Sequence, residues 1–600
     1  MTDANMGAEK PHSEGPATRG EPNQAVPSDV IERYVKSIPQ ETLNIKTSKI
    51  SDLNVKKGTH MFAFWFAVST YLPIFTACIC PLSNMMSIAA LVTSWRSQQN
   101  GAHISDPKLV YILNAVSLGF GFLSNISVIL NFGQIISYKV SQIVSITGFF
   151  IASMLLLTGV LLMDKRFMDH DFKYTEGFCS AVITLVFYFL CGISCFLNFL
   201  GYLLGKYSPD FNLEGSERGL IVYTFVLAVW LSWGAAMFHN LIDDTSYSNA
   251  IYFCVESLLT IGLGDIHPAT DVAKALTLLY SFSGLTIIGL IVAMIRSMIV
   301  SSNTPVLFWN QLEMRRKREL KRLAGSNNAL SHKQSFNLMR SIERDARRHQ
   351  ANLNTFMTVL IWVSFWLIGA LVFHFTEDWK YFDAVYFCFL CFLTIGYGDY
   401  APKSPAGRTF FIVWALAAVP LMTGLFSNIG ERLYDLSNRG IRSRVFLKLF
   451  SRRSSTSNPF LHVFASRVKD MEDPIDENET EVIAEIISEA SKTTFDSKAD
   501  RTKTILNSMK RLVLGSIKDS SEKQKFEYEF WKSILEMRNY SLYDNTNSSR
   551  IEEKFWLSEL SPLRLPISES NYLLYLLFKQ LESELLGDSA EEESQRKKDE

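Results

Sequence analysis

The sequence predicts an all-α membrane protein with eight transmembrane helices, two short re-entrant loops between the later ones, and a helical cytoplasmic tail. Three observations predict it. Apolar residues make up 48% of the 600 and charged residues only 20%, below the about 25% charge of an ordinary soluble chain. The apolar residues are gathered in runs of about 20, the length that crosses a bilayer as a helix, while 1–60 and 431–600 are polar. Two further apolar stretches, Ala250–Leu263 and Ala384–Tyr397, are too short to cross, and each ends in a glycine-rich turn. A net charge of −1 gives no bulk electrostatic case for a nucleic-acid partner.

Taken in order, residues 1–60 form a proline-bearing segment without a cleavable signal peptide, so the first apolar run is expected to act as an uncleaved membrane signal. Four leading spans occupy 61–204. The first runs from Met61 to Ile79 and continues toward Val92, its end blurred by Pro73 and Pro81. The others are Val110–Phe132, Ile143–Met163 and Phe178–Leu204. A first module, 220–300, holds the span Leu220–His239, the re-entrant stretch and the span Ala273–Val300. A basic linker follows at 301–355. A second module, 356–430, repeats the plan with Phe356–Phe375, the second re-entrant stretch and Phe410–Ile429. The tail, 431–600, reads as charged amphipathic helices such as Val482–Ile487 and Tyr572–Leu586.

Orientation follows from lysine and arginine. The linker carries eleven of them against four acids, a net +7, so it is expected on the cytoplasmic side with both termini. Both re-entrant stretches then dip in from outside. The loop 164–177, with Lys165, Arg166 and Lys173, faces outside, a mild conflict eased by Asp164, Asp169, Asp171 and Glu176. The glycosylation-type sequons at Asn478 and Asn547 are then cytoplasmic, and the one at Asn125 is inside a span.

The chemistry lies at the two turns, Thr260-Ile261-Gly262-Leu263-Gly264-Asp265 and Thr394-Ile395-Gly396-Tyr397-Gly398-Asp399. An ion leaving water needs its hydration oxygens replaced, and a column of backbone carbonyls facing one axis does this. Aligning successive carbonyls requires alternating backbone conformations, which glycine permits. The aspartates supply negative charge at the outer end. Irregular backbone at membrane depth is tolerated only where protein or a water-filled path surrounds it. A lone Gly-x-Gly is a weak signal, but two copies of Thr-Ile-Gly-x-Gly-Asp, each closing a short apolar helix between spans, are specific.

These hexapeptides resemble the potassium-channel filter. The first departs from it at Leu263, where the motif usually has an aromatic; the leucine keeps the carbonyl and loses a hydroxyl that would bond behind the filter. Four filter segments make a ring and one chain supplies two, so a homodimer is expected. Eight spans, with loops after the fifth and seventh, resemble the fungal outward-rectifying two-pore-domain potassium channels (the TOK family) over about residues 60–435. The resemblance implies passive K+ efflux across the plasma membrane, with K+ as the permeant ion and no cofactor, and gating at the filter and the inner ends of the pore helices, here around Arg296 and Glu431. No span carries an arginine ladder, so a voltage sensor of that kind is excluded.

Other gating candidates are Glu256, four residues before Thr260 where the second module has Leu390, and the glycines Gly284 and Gly424. Hinge and packing readings are balanced at Gly284 and Gly424, while Gly289 reads as a packing glycine. His267 reads as a surface histidine. The linker either binds anionic inner-leaflet lipid or merely sets topology. Cys388 and Cys391, spaced as C-x-x-C in an apolar run, read as buried hydrophobes. No Ser/His/Asp set, phosphate loop or metal-ligand cluster points to an enzyme. A pore-loop transporter and a membrane scaffold with a vestigial pore are the alternatives; the two intact Gly-x-Gly motifs argue against both.

Overall fold

The computed structural model describes residues 53–98, 103–167, 172–208, 215–243, 245–298, 304–324, 330–441, 505–506, 509, 525–537, 555–558, 561–564 and 569–581. Eight of its helices are long and apolar enough to cross a membrane. Val482–Ile487, the serine-rich stretch near Ser454, Asn478 and Asn547 lie outside the described residues.

Four helices lead: α1 (His60–Val92), α2 (Lys108–Phe132), α3 (Tyr138–Leu162) and α4 (Glu176–Leu203). α1 passes both prolines unbroken. The carbonyl of Leu72 accepts bonds from Thr76 Oγ1 and from Ser194 Oγ of α4, tying the two helices beside Pro73. Small and polar residues fill the seams between these helices. Ser117 Oγ donates to the Ala152 carbonyl at 2.7 Å, the Tyr188 hydroxyl to Asn84 Oδ1 at 2.9 Å, and Asn198 Nδ2 to the Tyr138 hydroxyl at 3.0 Å. Such contacts hold helices together where burying apolar surface gives no net drive.

A feature absent from the sequence reading joins their ends. Strands β1 (Arg96–Gln98), β2 (His103–Ile104) and β3 (Phe172–Tyr174) form an antiparallel sheet in the order β2-β1-β3. Strands of two or three residues carry too little periodicity to be read. The loop 164–177 with its mixed charges thus contributes an edge strand, and the Tyr174 hydroxyl bonds Asp164 at 2.5 Å.

Two modules follow: α5 (Gly215–Leu241), α6 (Tyr247–Leu258) and α7 (Asp271–Ser297), then, after α8 (Thr304–Ala324), α9 (His332–Glu377), α10 (Tyr381–Phe392) and α11 (Pro405–Ile441). The repeat reaches individual contacts. Trp230 stacks on Tyr280 at 5.5 Å, as Phe365 stacks on Trp414 at 5.9 Å. Phe238 meets Phe253 edge-on at 5.0 Å, as Phe373 meets Phe387 at 5.1 Å. The Tyr247 hydroxyl donates to the Ser232 carbonyl and that of Tyr381 to the Leu367 carbonyl. Gly234 and Gly369 admit these aromatic rings, since a Cβ on either would overlap Tyr280 or Trp414.

The basic linker is built as two helices, α8 and the first half of α9. Segment 53–58 docks on α8 through Gly58 N–H to Asn310 Oδ1 at 2.8 Å and Asn310 Nδ2 to the Thr59 carbonyl. Tail segments, including α12 (Tyr528–Met537) and a helix over 569–581, close an apolar core of Leu312, Phe336, Met339, Trp531, Trp556 and Leu573 against the linker. Buried ions pin it: Glu313 pairs with Arg316 at 2.6 Å and Arg564 at 3.2 Å, and Arg340 grips Glu569 at 2.5 and 2.6 Å. Burial alone would raise the Glu313 carboxyl, but Arg316, Arg564 and Lys317 outweigh it and hold it lowered to about 2.

Gly369→Ala forces a methyl into the Trp414 ring and is expected to cost about 1–3 kcal/mol, as overpacking does. Gly119→Ala, with open space around it, is expected to be neutral or stabilising by about 0.5–1 kcal/mol; melting followed by tryptophan fluorescence in detergent separates the two. The lowered Glu313 carboxyl contributes stability that is complete above its unfolded value, near 4.3, and lost as pH falls through about 2. Glu313→Gln, which strands two buried arginines, is expected to cost the tail module about 3–5 kcal/mol at neutral pH, measured as faster hydrogen exchange over 569–581.

Candidate functional site

Both re-entrant helices stop just before the hexapeptides. α6 starts on Ser246, whose hydroxyl accepts the Asn249 N–H, and ends at a cap on Leu259. α10 ends at a cap on Leu393. The chain then folds back, with Ile261 N–H on the Glu256 carbonyl and Ile395 N–H on the Leu390 carbonyl, both at 3.0 Å. From there every second residue is left-handed. The φ angles are +56° at Thr260, +61° at Gly262 and +79° at Gly264, and +53°, +50° and +77° at Thr394, Gly396 and Gly398. Alternating hand turns successive carbonyls to one side instead of the two sides of an ordinary strand. The threonines hold this conformation without glycine's freedom, at about 1–3 kcal/mol each.

The two hexapeptides lie side by side. A Cβ on Gly396 would overlap the Ile261 carbonyl oxygen, and one on Gly398 that of Leu263. Residues 260–264 and 394–398 are therefore adjacent staves of one structure, although 134 positions separate them in the chain.

Behind the first stave the packing is closed. Ile261 is 3% exposed and Leu263 7%. The Tyr252 hydroxyl donates to Asp265 Oδ1 at 3.1 Å, and Arg408, from α11 of the other module, donates to Asp265 Oδ2 at 3.0 Å. The Arg408 guanidinium also lies 5.5 Å over the Tyr252 ring. Glu256 is buried, and its carboxylate accepts the Leu263 N–H. It thus props the stave at the residue that lacks the aromatic hydroxyl. Its Oε2 has no hydrogen-bond partner among the described residues. Behind the second stave Ile395 is 40% and Tyr397 70% exposed, and Leu390 replaces Glu256. Asp399 is bonded there by Tyr386.

The other candidates separate. Gly284 is a packing glycine, because a Cβ there would overlap the Leu258 side chain of the re-entrant helix. Gly424 stands in open space. Gly289 does too, so the packing role read for it is not met by any described atom of this chain. Arg296 lies in the last turn of α7, and His267 is exposed. The side chain of Glu431 is outside the described residues. Cys388 and Cys391 are buried free thiols. Arg408 and Tyr252 were missed in the sequence reading. The available signal was the repeat itself, which puts Lys274 opposite Arg408 and Tyr386 opposite Tyr252 at the same 134-residue offset.

A family model described as "Ion channel" matches residues 225–301 and 361–435, the two modules. The chain is also similar to plant two-pore potassium channels. It is 25% identical to Two pore potassium channel a of Oryza sativa subsp. japonica over 235 residues, 38% of this chain and 59% of that one. It is 23% identical to Two-pore potassium channel 1 of Arabidopsis thaliana over 253 residues, 41% of this chain and 62% of that one. Two pore potassium channel c of rice is 27% identical over 198 residues, 33% of this chain and 40% of that one. The chain thus spans less than two thirds of each of these three relatives, and the ion-channel match leaves out the four leading helices and the tail.

Glu256→Leu installs the second module's residue in the first and leaves the Leu263 N–H buried without an acceptor. The expected cost is about 1–3 kcal/mol, read as a lower melting temperature and faster exchange of the Leu263 amide. Glu256→Gln keeps an acceptor and is expected to retain most of the stability.

Proposed function

We propose that this protein is a potassium-selective channel that passes K+ out of the cell through a filter of four staves, two from each subunit of a homodimer. The observation that carries this reading is the pair of adjacent segments whose residues alternate left-handed backbone at Thr260, Gly262, Gly264 and Thr394, Gly396, Gly398. Two such staves fill half a ring, and two-fold closure supplies the rest. In that ring the carbonyls of 260–264 and 394–398 replace the hydration shell of K+, the threonine hydroxyls add an inner layer, and Asp265 and Asp399 draw cations to the mouth. Adjacent binding layers let one ion displace the next, so binding does not trap it.

Outward rectification and the fungal TOK assignment rest on the eight-span layout, with loops after the fifth and seventh spans. The plasma membrane is the proposed location. The termini are assigned to the cytoplasm with the linker, because 53–58 and the tail helix 569–581 both sit with α8 and the first half of α9. Arg316 is buried and Arg340 and Arg347 are paired with acids. The exposed Arg318, Lys321, Arg322, Arg344 and Arg348 remain as the surface offered to anionic lipid.

The test is whole-cell current in a host with little background potassium conductance. Reversal is expected to follow the potassium equilibrium potential as external K+ replaces Na+, with larger outward than inward current. Gly262→Ala with Gly396→Ala is expected to abolish the current while the protein still reaches the surface. A reversal potential indifferent to K+ overturns the reading.

A further inference from the structure

The two modules repeat one plan, yet among the described residues of one chain a pore helix of the other module covers the first filter segment and not the second. α11 of the second module lies over the first stave, where Phe411 packs on Tyr252 at 5.2 Å and Arg408 holds Asp265. The equivalent helix of the first module is α7, and within its own chain it does not cover the second stave. The difference shows at matched positions. Tyr252 is fully buried and Tyr386 half-exposed; Ile412 of α11 is 1% exposed and its counterpart Leu278 of α7 is 74% exposed.

The charges show the same incompleteness. Arg408 and Lys274 are both cations in the first turns of α11 and α7, nine residues beyond Asp399 and Asp265 respectively in the paired repeats. Arg408 satisfies the aspartate of the other module. Lys274 instead meets Asp271 of its own helix at 3.3 Å, with both side chains more than half exposed, a type of pair that contributes little and is readily exchanged. Among the described residues Asp399 is exposed and has Tyr386 but no cation in the position Arg408 takes beside Asp265.

We propose that the missing cover comes from a second copy of this chain: Lys274 of the partner subunit binds Asp399 over the Tyr386 ring, and Leu278 of the partner subunit packs against α10. A two-fold axis makes the contact reciprocal, so each dimer holds two Lys274–Asp399 pairs between subunits and two Arg408–Asp265 pairs within them. The mouth of the filter then has four ion pairs, and two of its four staves are held by the neighbour. Complementary charge fixes which faces meet, while the exposed apolar side chains of α7 supply the buried area. The inference rests on the dimeric channel reading and adds the residues that close it.

The test uses two full-length chains with different tags, one carrying Lys274→Cys and the other Asp399→Cys, co-expressed and treated with a short bifunctional thiol reagent. A disulfide would not serve, because its Cα spacing of about 4.4–6.8 Å is shorter than an ion pair with long side chains spans. A covalent product carrying both tags is expected. None is expected when Asp265→Cys replaces Asp399→Cys, nor from chains without the added thiols. Lys274→Glu, combined with unchanged Asp399, is expected to reduce the dimer recovered from membranes, and Lys274→Arg to preserve it. Dimer mass is measured on the cysteine-bearing pair, and K+ current on the protein with Lys274 and Asp399 unchanged. A dimeric, conducting protein that gives no two-tag product overturns the Lys274–Asp399 contact and leaves the channel reading standing. A monomeric or non-conducting protein overturns both.

Discussion

A stretch of backbone placed at membrane depth without helical hydrogen bonds must have its carbonyls satisfied by something other than itself. At 260–264 and 394–398 the alternation of left-handed residues turns a run of carbonyls toward one side and leaves the side chains on the other. That geometry is strained at both threonines and possible at the glycines only because they lack a Cβ. It persists only if the surroundings over-determine it. Much of the structure supplies that determination: the re-entrant helix that ends at each stave, the buried Ile261 and Leu263 behind the first, and the Tyr252–Asp265–Arg408 set above it.

The spans and the two hexapeptides were legible in the sequence because each rests on a local signal, a run of apolar residues in one case and a glycine spacing in the other. What was not legible is nonlocal. Arg408 reads as one more basic residue at the start of an apolar run; its role depends on the Asp265 carboxylate, 143 residues away. The sheet of β1, β2 and β3 is too short to show a period, and its strands come from two separate loops. The packing read for Gly289 meets no described atom of this chain, since small residues in a membrane helix mark close approach without saying to what.

The modules repeat in fold and differ in chemistry. The first stave has leucine where the second has tyrosine, and only the first has a carboxylate, Glu256, to take the N–H of that residue. The two departures compensate locally: the side chain that cannot bond outward is buried, and its backbone is tied from behind instead. The second stave keeps the aromatic at Tyr397 and lacks the carboxylate, so its support has to come from the side. A chain with four identical staves would need only one solution to this problem. A ring with two kinds needs two, which is why hexapeptides alike at all but one position differ in what packs behind them.

On the proposed topology the linker charges act at two stages. Insertion orients a span by the lysines and arginines beside it, and during synthesis N-terminal parts fold before the C-terminal ones exist. When the linker first meets the membrane, Arg340 has no Glu569 and Arg316 has no Arg564-bridged Glu313 core around it, because residues 561–581 have not been made. The net +7 of the linker therefore operates at full strength at the moment it sets topology. Once the tail arrives, the charges are redistributed. Glu569 takes Arg340, and Arg316 is buried beside Glu313 under Leu557. A charge count from the sequence describes the first stage and overstates the field of the second, since several of the same cations have become internal ties between linker and tail.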